Sequence, residues 1–119
     1  MPIKVNSRIF PYRVSLKAKE NWELEVEIQN NDPKAKIVSV KITLPEEATF
    51  KAVGEAQVLE RQFESLKPSQ TQIIKEKIFI SRGSRTGNFT AKINVTEHYN
   101  DFEHILKEFR SDFAIRIVD

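Results

Sequence analysis

Residues 22–29, WELEVEIQ, decide the fold. Trp22, Leu24, Val26 and Ile28 occupy one set of alternate positions, and Glu23, Glu25, Glu27 and Gln29 occupy the other. A period of two is that of a β-strand with one buried face. The run ends in NNDP, residues 30–33, a strong turn signal.

Working outward, the same period recurs. KIVSVKITLP, 36–45, keeps Val38, Val40, Ile42 and Leu44 in phase and is closed by Pro45. FTAKINV, 89–95, turns Phe89, Ala91, Ile93 and Val95 inward, and FAIRIV, 113–118, does so with Phe113, Ile115 and Ile117. PYRVSL, 11–16, alternates Tyr12, Val14 and Leu16 against Arg13 and Ser15. TQIIKEKIFI, 71–80, is strand-like but puts a charge inward in either phase, which predicts a bulge. Val58 to Phe63 reads as a shorter strand or, since Leu59, Phe63 and Leu66 fall at helical spacing, as a helical turn.

About seven short strands separated by turns, in 119 residues, predict an all-β, immunoglobulin-like antiparallel β-sandwich forming a single domain over 1–119. In that arrangement the Trp22 strand lies between the Tyr12 strand and the Ile74 strand. Its glutamates then face Arg13 and Lys17 on one side and Lys75 and Lys77 on the other, a cross-strand ladder of charge.

Composition narrows the function. With no cysteine, disulfides, thiolate metal centres and cysteine nucleophiles are excluded. Nineteen basic residues against 17 acidic ones give a net charge of +2, too little and too evenly mixed in sign for a nucleic-acid track. No run approaches the roughly 20 apolar residues of a membrane span. The first residues, MPIKVNSRIFPYRV, lack an uninterrupted apolar core and a small-residue cleavage site. A chain complete as given is expected in the cytoplasm, and one relieved of a targeting segment outside the cell.

The stretch TEHYNDFEHILKEF, 96–109, holds both histidines. A three-residue loop centred on Asp101 would make it the tip of a long C-terminal hairpin, pairing Ile93 with Phe109 and Phe89 with Phe113. Helical spacing of Phe102, Ile105, Leu106 and Phe109, with Asn100 and Glu103 as a capping box, offers a short helix instead. His98 and His104 are six apart, not the four of a helical zinc pair, and Glu97, Asp101 and Glu103 read as a solvated tip. No cofactor, metal site or catalytic residue is predicted, because no phosphate loop, nucleophile elbow or paired-carboxylate signature is present.

Other features have a bland and a sharp reading. Asn88 and Asn94 match the N-glycosylation triplet on the outward phase of one strand. Trp22 reads as a core residue with its N–H satisfied near one end of the sandwich, or as a sugar-stacking platform. Ile73 and Phe79 share the phase of Lys75 and Lys77 and are expected on the surface, where an outward Phe can mark a contact. Arg82 and Arg85 sit in the flexible SRGSRTG loop, 81–87.

The order FPYRVSLKAKENWELEVEIQNND, KIVSVKITLP, LKPSQTQ, GNFTAKINV resembles the immunoglobulin-like accessory modules of the CARDB type, common in archaeal and bacterial proteins. The points of likeness are the Asn-containing turn at Asn30, Asn31 and Asp32, the turn Leu66-Lys67-Pro68-Ser69, and Gly87-Asn88-Phe89 opening the penultimate strand. Ser69 stands where the family's turn has glycine. The resemblance implies a module for adhesion, assembly or spacing without catalytic residues. The expected function is therefore a non-enzymatic interaction module. It would bind a protein partner, or itself, through an exposed edge strand or the 96–109 hairpin, with Phe79, Tyr99, Phe102 and Ile105 as contact residues. A carbohydrate or cell-envelope accessory domain is the alternative.

Overall fold

The structure, a computed structural model, describes residues 3–17 and 21–119. It is all-β among those residues, with nine strands in two sheets. In chain order they are β1 (Ile3–Phe10), β2 (Val14–Ser15), β3 (Asn21–Asn30), β4 (Lys36–Thr43), β5 (Ala48–Thr49), β6 (Val58–Leu66), β7 (Thr71–Ile80), β8 (Gly87–His98) and β9 (Ile105–Val118). One sheet has the order β1-β3-β7-β5 and the other β2-β9-β8-β4-β6. The 14 residues of β9, at about 3.3 Å each, run nearly the whole 48 Å of the longest axis.

The alternation read from the sequence is the burial pattern. Trp22, Leu24, Val26 and Ile28 are buried, as are Val38, Val40 and Ile42 on β4 and Ala91, Ile93 and Val95 on β8. These residues, with Ile115 and Ile117, meet between the sheets as one apolar cluster. Burying that surface is the main favourable contribution to folding, on the order of 1.5–3 kcal/mol for each large side chain.

The first strand differs from the sequence expectation. It is Ile3–Phe10, not 11–16, and it pairs with β3 from Ile3 opposite Asn30 to Phe10 opposite Glu23. Ser7 on the inner phase blurs the apolar signal of Ile3, Val5 and Ile9. Pro11 has no N–H for a ladder and ends β1. The chain then crosses to the other sheet, where Val14 and Ser15 pair in parallel with Ile117 and Val118. Tyr12, expected inward, is exposed, with the Arg116 guanidinium over its ring at 4.2 Å. Residues 18–20 of the FPYRVSLKAKENWELEVEIQNND stretch lie outside the described residues.

The charge ladder is half as expected. Lys77 and Lys75 stand opposite Glu23 and Glu25 across β3 and β7. On the other side the neighbour of Glu25 is Arg8, not Arg13 or Lys17; Lys17 pairs with Asp119 instead. The β3–β7 register is also unbroken, so the predicted bulge is absent from 71–80. The inward charge is Glu76, on the phase of buried Ile74 and Ile78. It reaches across the open side of the sandwich to Arg61 on β6 at 2.6 Å. That region is a strand, not a helical turn, with Leu59, Arg61 and Phe63 opposite Ile42, Val40 and Val38. Because both partners are partly exposed, Glu76→Ala is expected to lower unfolding free energy by no more than about 1 kcal/mol, read from the urea midpoint.

Candidate interaction surfaces

The stretch 96–109 forms a hairpin tip, with a link from Tyr99 to His104 between β8 and β9. Asn100 takes a positive φ of 66°, a conformation asparagine tolerates better than most residues. Asp101 organises the turn. Its Oδ1 accepts the N–H groups of Glu103 at 3.0 Å and His104 at 3.2 Å and bonds His104 Nδ1 at 2.7 Å. Chiefly the His104 bond, with help from the backbone donors, holds its carboxyl below the usual value against the opposing effect of desolvation. The Tyr99 N–H closes the link on the His104 carbonyl at 2.9 Å. This link is longer than the predicted three-residue loop, and a register shift follows at Glu97 and His98. Val95, not Ile93, therefore faces Phe109, and Phe89 faces Ile115.

The two histidines serve different neighbours. His98 is buried, shares a 2.7 Å hydrogen bond between its Nε2 and Ser39 Oγ, and meets the Phe102 ring edge-on at 5.2 Å. His104 is exposed on Asp101. Ser39 and His98 have the contact of a nucleophile and its base, but a triad also needs a group to orient the imidazole. His98 Nδ1 has no hydrogen-bond partner among the described residues. No group of three or more His, Asp or Glu side chains there is arranged to hold a metal ion.

The four expected contact residues do not form one surface. Tyr99 and Ile105 are exposed on the tip, joined by exposed Leu106, while Phe102 folds back on His98. Phe79 is on the other sheet, opposite Asn21 at the start of β3. The tip lies at the end marked by Lys36 and Leu66, across from Asn30. Phe79 lines a shallow groove of about 490 Å³ with Phe10, Phe50, Glu23 and Lys77. Ile73 is half exposed on the same face, as its phase predicts.

Trp22 is fully buried, so it offers no platform for a sugar. Its indole N–H, expected to be satisfied, has no partner among the described residues. Asn88 is exposed, and Asn94 is half buried on the outer face of the five-stranded sheet, opposite Lys41 and Arg110. On that face a polar groove of about 580 Å³ runs over Gln62, Ser39, Thr96 and His98 to Phe102. Arg82 and Arg85 are exposed, the latter 5.9 Å from the Phe89 ring.

The sequence reading expected an exposed edge strand without saying which strand it is. Among the described residues, antiparallel strands β1 and β6 each have a neighbour on one side only, over eight and nine residues. Their outward side chains are Lys4, Asn6, Arg8 and Phe10 on β1, and Val58, Glu60, Gln62 and Glu64 on β6. The alternation of both was in the sequence; which strands end a sheet is set by long-range pairing, which no local pattern reports. Among the described residues, no helix is long and apolar enough to cross a membrane. No protein-family model matches the chain, and no curated protein matches its sequence.

Proposed function

We propose that this chain is a non-enzymatic interaction or assembly module, an immunoglobulin-like sandwich related to the CARDB accessory type. It takes up a protein partner, or a second copy, along an unpaired strand edge. The observation that carries this reading is the pair of long edges, β1 and β6. Each presents a row of backbone N–H and C=O groups that no strand among the described residues occupies, and proteins normally block such rows unless something is meant to pair with them. Nothing interrupts β1, whose register with β3 is continuous from Ile3 to Phe10. Strand addition would take affinity from main-chain bonds and specificity from the alternate side chains.

The hairpin tip is the second surface, favoured by the exposed trio Tyr99, Ile105 and Leu106. One experiment separates the two. The protein is used as bait, and amide hydrogen exchange is followed with the retained partner bound. Slowed exchange in β1 or β6 supports edge pairing, slowed exchange confined to 99–106 moves the site to the tip, and no retained partner together with no self-association removes the proposal. Tyr99→Ser with Ile105→Ser is expected to change unfolding free energy by only about 0.5 kcal/mol, as for other exposed positions, and to leave edge capture intact.

A further inference from the structure

We infer that the occupant of these edges is a second copy of the same chain, joined head to tail, with β6 of one molecule added antiparallel to β1 of the next. The inference rests on the edge reading above and names its partner. It comes from laying one edge against the other. Along β1, and along β6 as far as Glu64, odd-numbered side chains turn toward the core and even-numbered ones outward; beyond that the register shift against β4 brings Leu66 inward. Directly opposed residues of an antiparallel pair point to the same side, so odd must meet odd.

One register suits Lys4–Phe10 against Val58–Glu64. Glu64 faces Lys4, Gln62 faces Asn6, and Glu60 faces Arg8. The row ends with Val58 facing Phe10, two of the large apolar side chains left exposed, at 48% and 53%. On the inner side Phe63 meets Val5 and Leu59 meets Ile9, all four only partly buried in the single chain. Arg61, already held by Glu76, falls opposite Ser7.

Like edges do not fit as well. In its full overlap, β6 against a second β6 opposes Glu60 to Glu64 twice. Centred on Asn6, β1 against a second β1 opposes Lys4 to Arg8 twice. Like charges in facing positions destabilise a pair. The edges also lie on opposite sides of the sandwich. β1 sits over β9, sharing a groove with Phe109 and Ser111, whereas β6 faces β7 through Arg61 and Glu76. Contact between two different patches is heterologous and propagates into a filament or closes as a ring.

The test is charge exchange, read by light scattering over a concentration series reaching millimolar. The wild type is expected to rise above its monomer mass of 13.8 kDa and to fall back with added salt. Lys4→Glu with Arg8→Glu makes both edges acidic, and Glu60→Lys with Glu64→Lys makes both basic. Each double variant alone is expected to assemble at least roughly tenfold more weakly. Mixed in equal amounts they are expected to assemble again, alternately, because each acidic edge now meets a basic one. Should either double variant lose its cooperative melt, Phe10→Lys and Val58→Glu replace them in the same exchange design. A wild type that stays monomeric throughout overturns the inference, as do variants that assemble alone as well as the wild type, or a mixture of folded variants that does not reassemble. Monomeric wild type whose β1 or β6 amides are still protected by another protein sinks this inference alone. Without that protection, or protection at 99–106, the module reading falls as well.

Discussion

Replacing Lys36 with methionine is expected to lower the free energy of unfolding by about 3–5 kcal/mol, the usual cost of stripping a buried charge of its partner. Lys36 opens β4, and its ammonium lies 2.5 Å from Glu97 Oε1 and 3.4 Å from Asp32 Oδ2. Glu97 sits on the inward phase of β8 with only 2% of its side chain exposed, against 17% for Lys36. Its second oxygen has no partner among the described residues. Lys36 therefore supplies nearly all the compensation this carboxylate receives. The ladders around it are irregular, with register shifts at Lys36/Val38 and Glu97/His98, and such bulges re-aim side chains.

The pair is expected to behave asymmetrically. Glu97→Leu leaves a lysine that can still reach Asp32 and water, so it costs less than Lys36→Met. The double variant Lys36→Met/Glu97→Leu removes both buried charges and is expected to recover most of the loss. Denaturant titrations of the four proteins complete the cycle, and equal losses in the two single variants would contradict it. The pH dependence has a definite sign. Chiefly the hydrogen bond to Glu97 raises the Lys36 pKa above the ordinary 10.5, against some desolvation. The folded chain thus holds this proton more tightly than the unfolded one. The contribution is fully present below pH 10.5 and is lost as pH rises through the higher folded value. The double variant is expected to lack that alkaline loss.

Local pattern carried the sheets a long way. WELEVEIQ, KIVSVKIT and FTAKINV each place their alternating apolar residues in or against the core, because a strand with one buried face writes its orientation at every second residue. Where the pattern failed, a distant residue had settled a local conflict. Glu76 looks misplaced in TQIIKEKIFI until Arg61, 15 positions earlier, is brought opposite it. The first strand was missed because Ser7 interrupts its inner phase, and the strand after Pro11 was overextended because Tyr12 looks apolar yet lies outside on Arg116. The hairpin was readable in kind but not in register: Asp101 takes three hydrogen bonds and sets a longer link. The contact residues were legible only as exposed apolar side chains, so Phe79 and Tyr99 were grouped though they stand at opposite ends. Edge strands are a property of the assembled sheet, and the match between β1 and β6 could not be sought before both were known to be edges.

Asn30→Asp, a near-isosteric change, is expected to cost about 2–4 kcal/mol, because it leaves two carbonyl groups without donors. Asn30 is fully buried at the end of β3. Its Nδ2 donates to the carbonyls of Lys34 and Leu66, both at 2.8 Å, while its Oδ1 accepts the Asp32 N–H at 2.9 Å. The main chain adds to this. The Asn30 N–H donates to Gln70 O at 3.2 Å, and its carbonyl accepts the Ser69 N–H at 2.7 Å. One side chain thereby ties the turn after β3 to the turn between β6 and β7, where Ser69 holds a φ of 63°, the left-handed region that glycine enters without strain. An aspartate keeps the acceptor for Asp32 but turns a second oxygen on two carbonyls. Burial and those carbonyls disfavour its charge and raise its pKa, so the variant is expected to regain stability as pH falls, once protonation restores one donor. Asn30→Ala, which removes both the donors and the acceptor, has no such group to titrate and is expected to show no recovery at low pH. Chemical denaturation of the three proteins across the acid range distinguishes these outcomes. Losses below 1 kcal/mol in both variants would mean that water replaces the amide and that the two turns are held by the backbone alone.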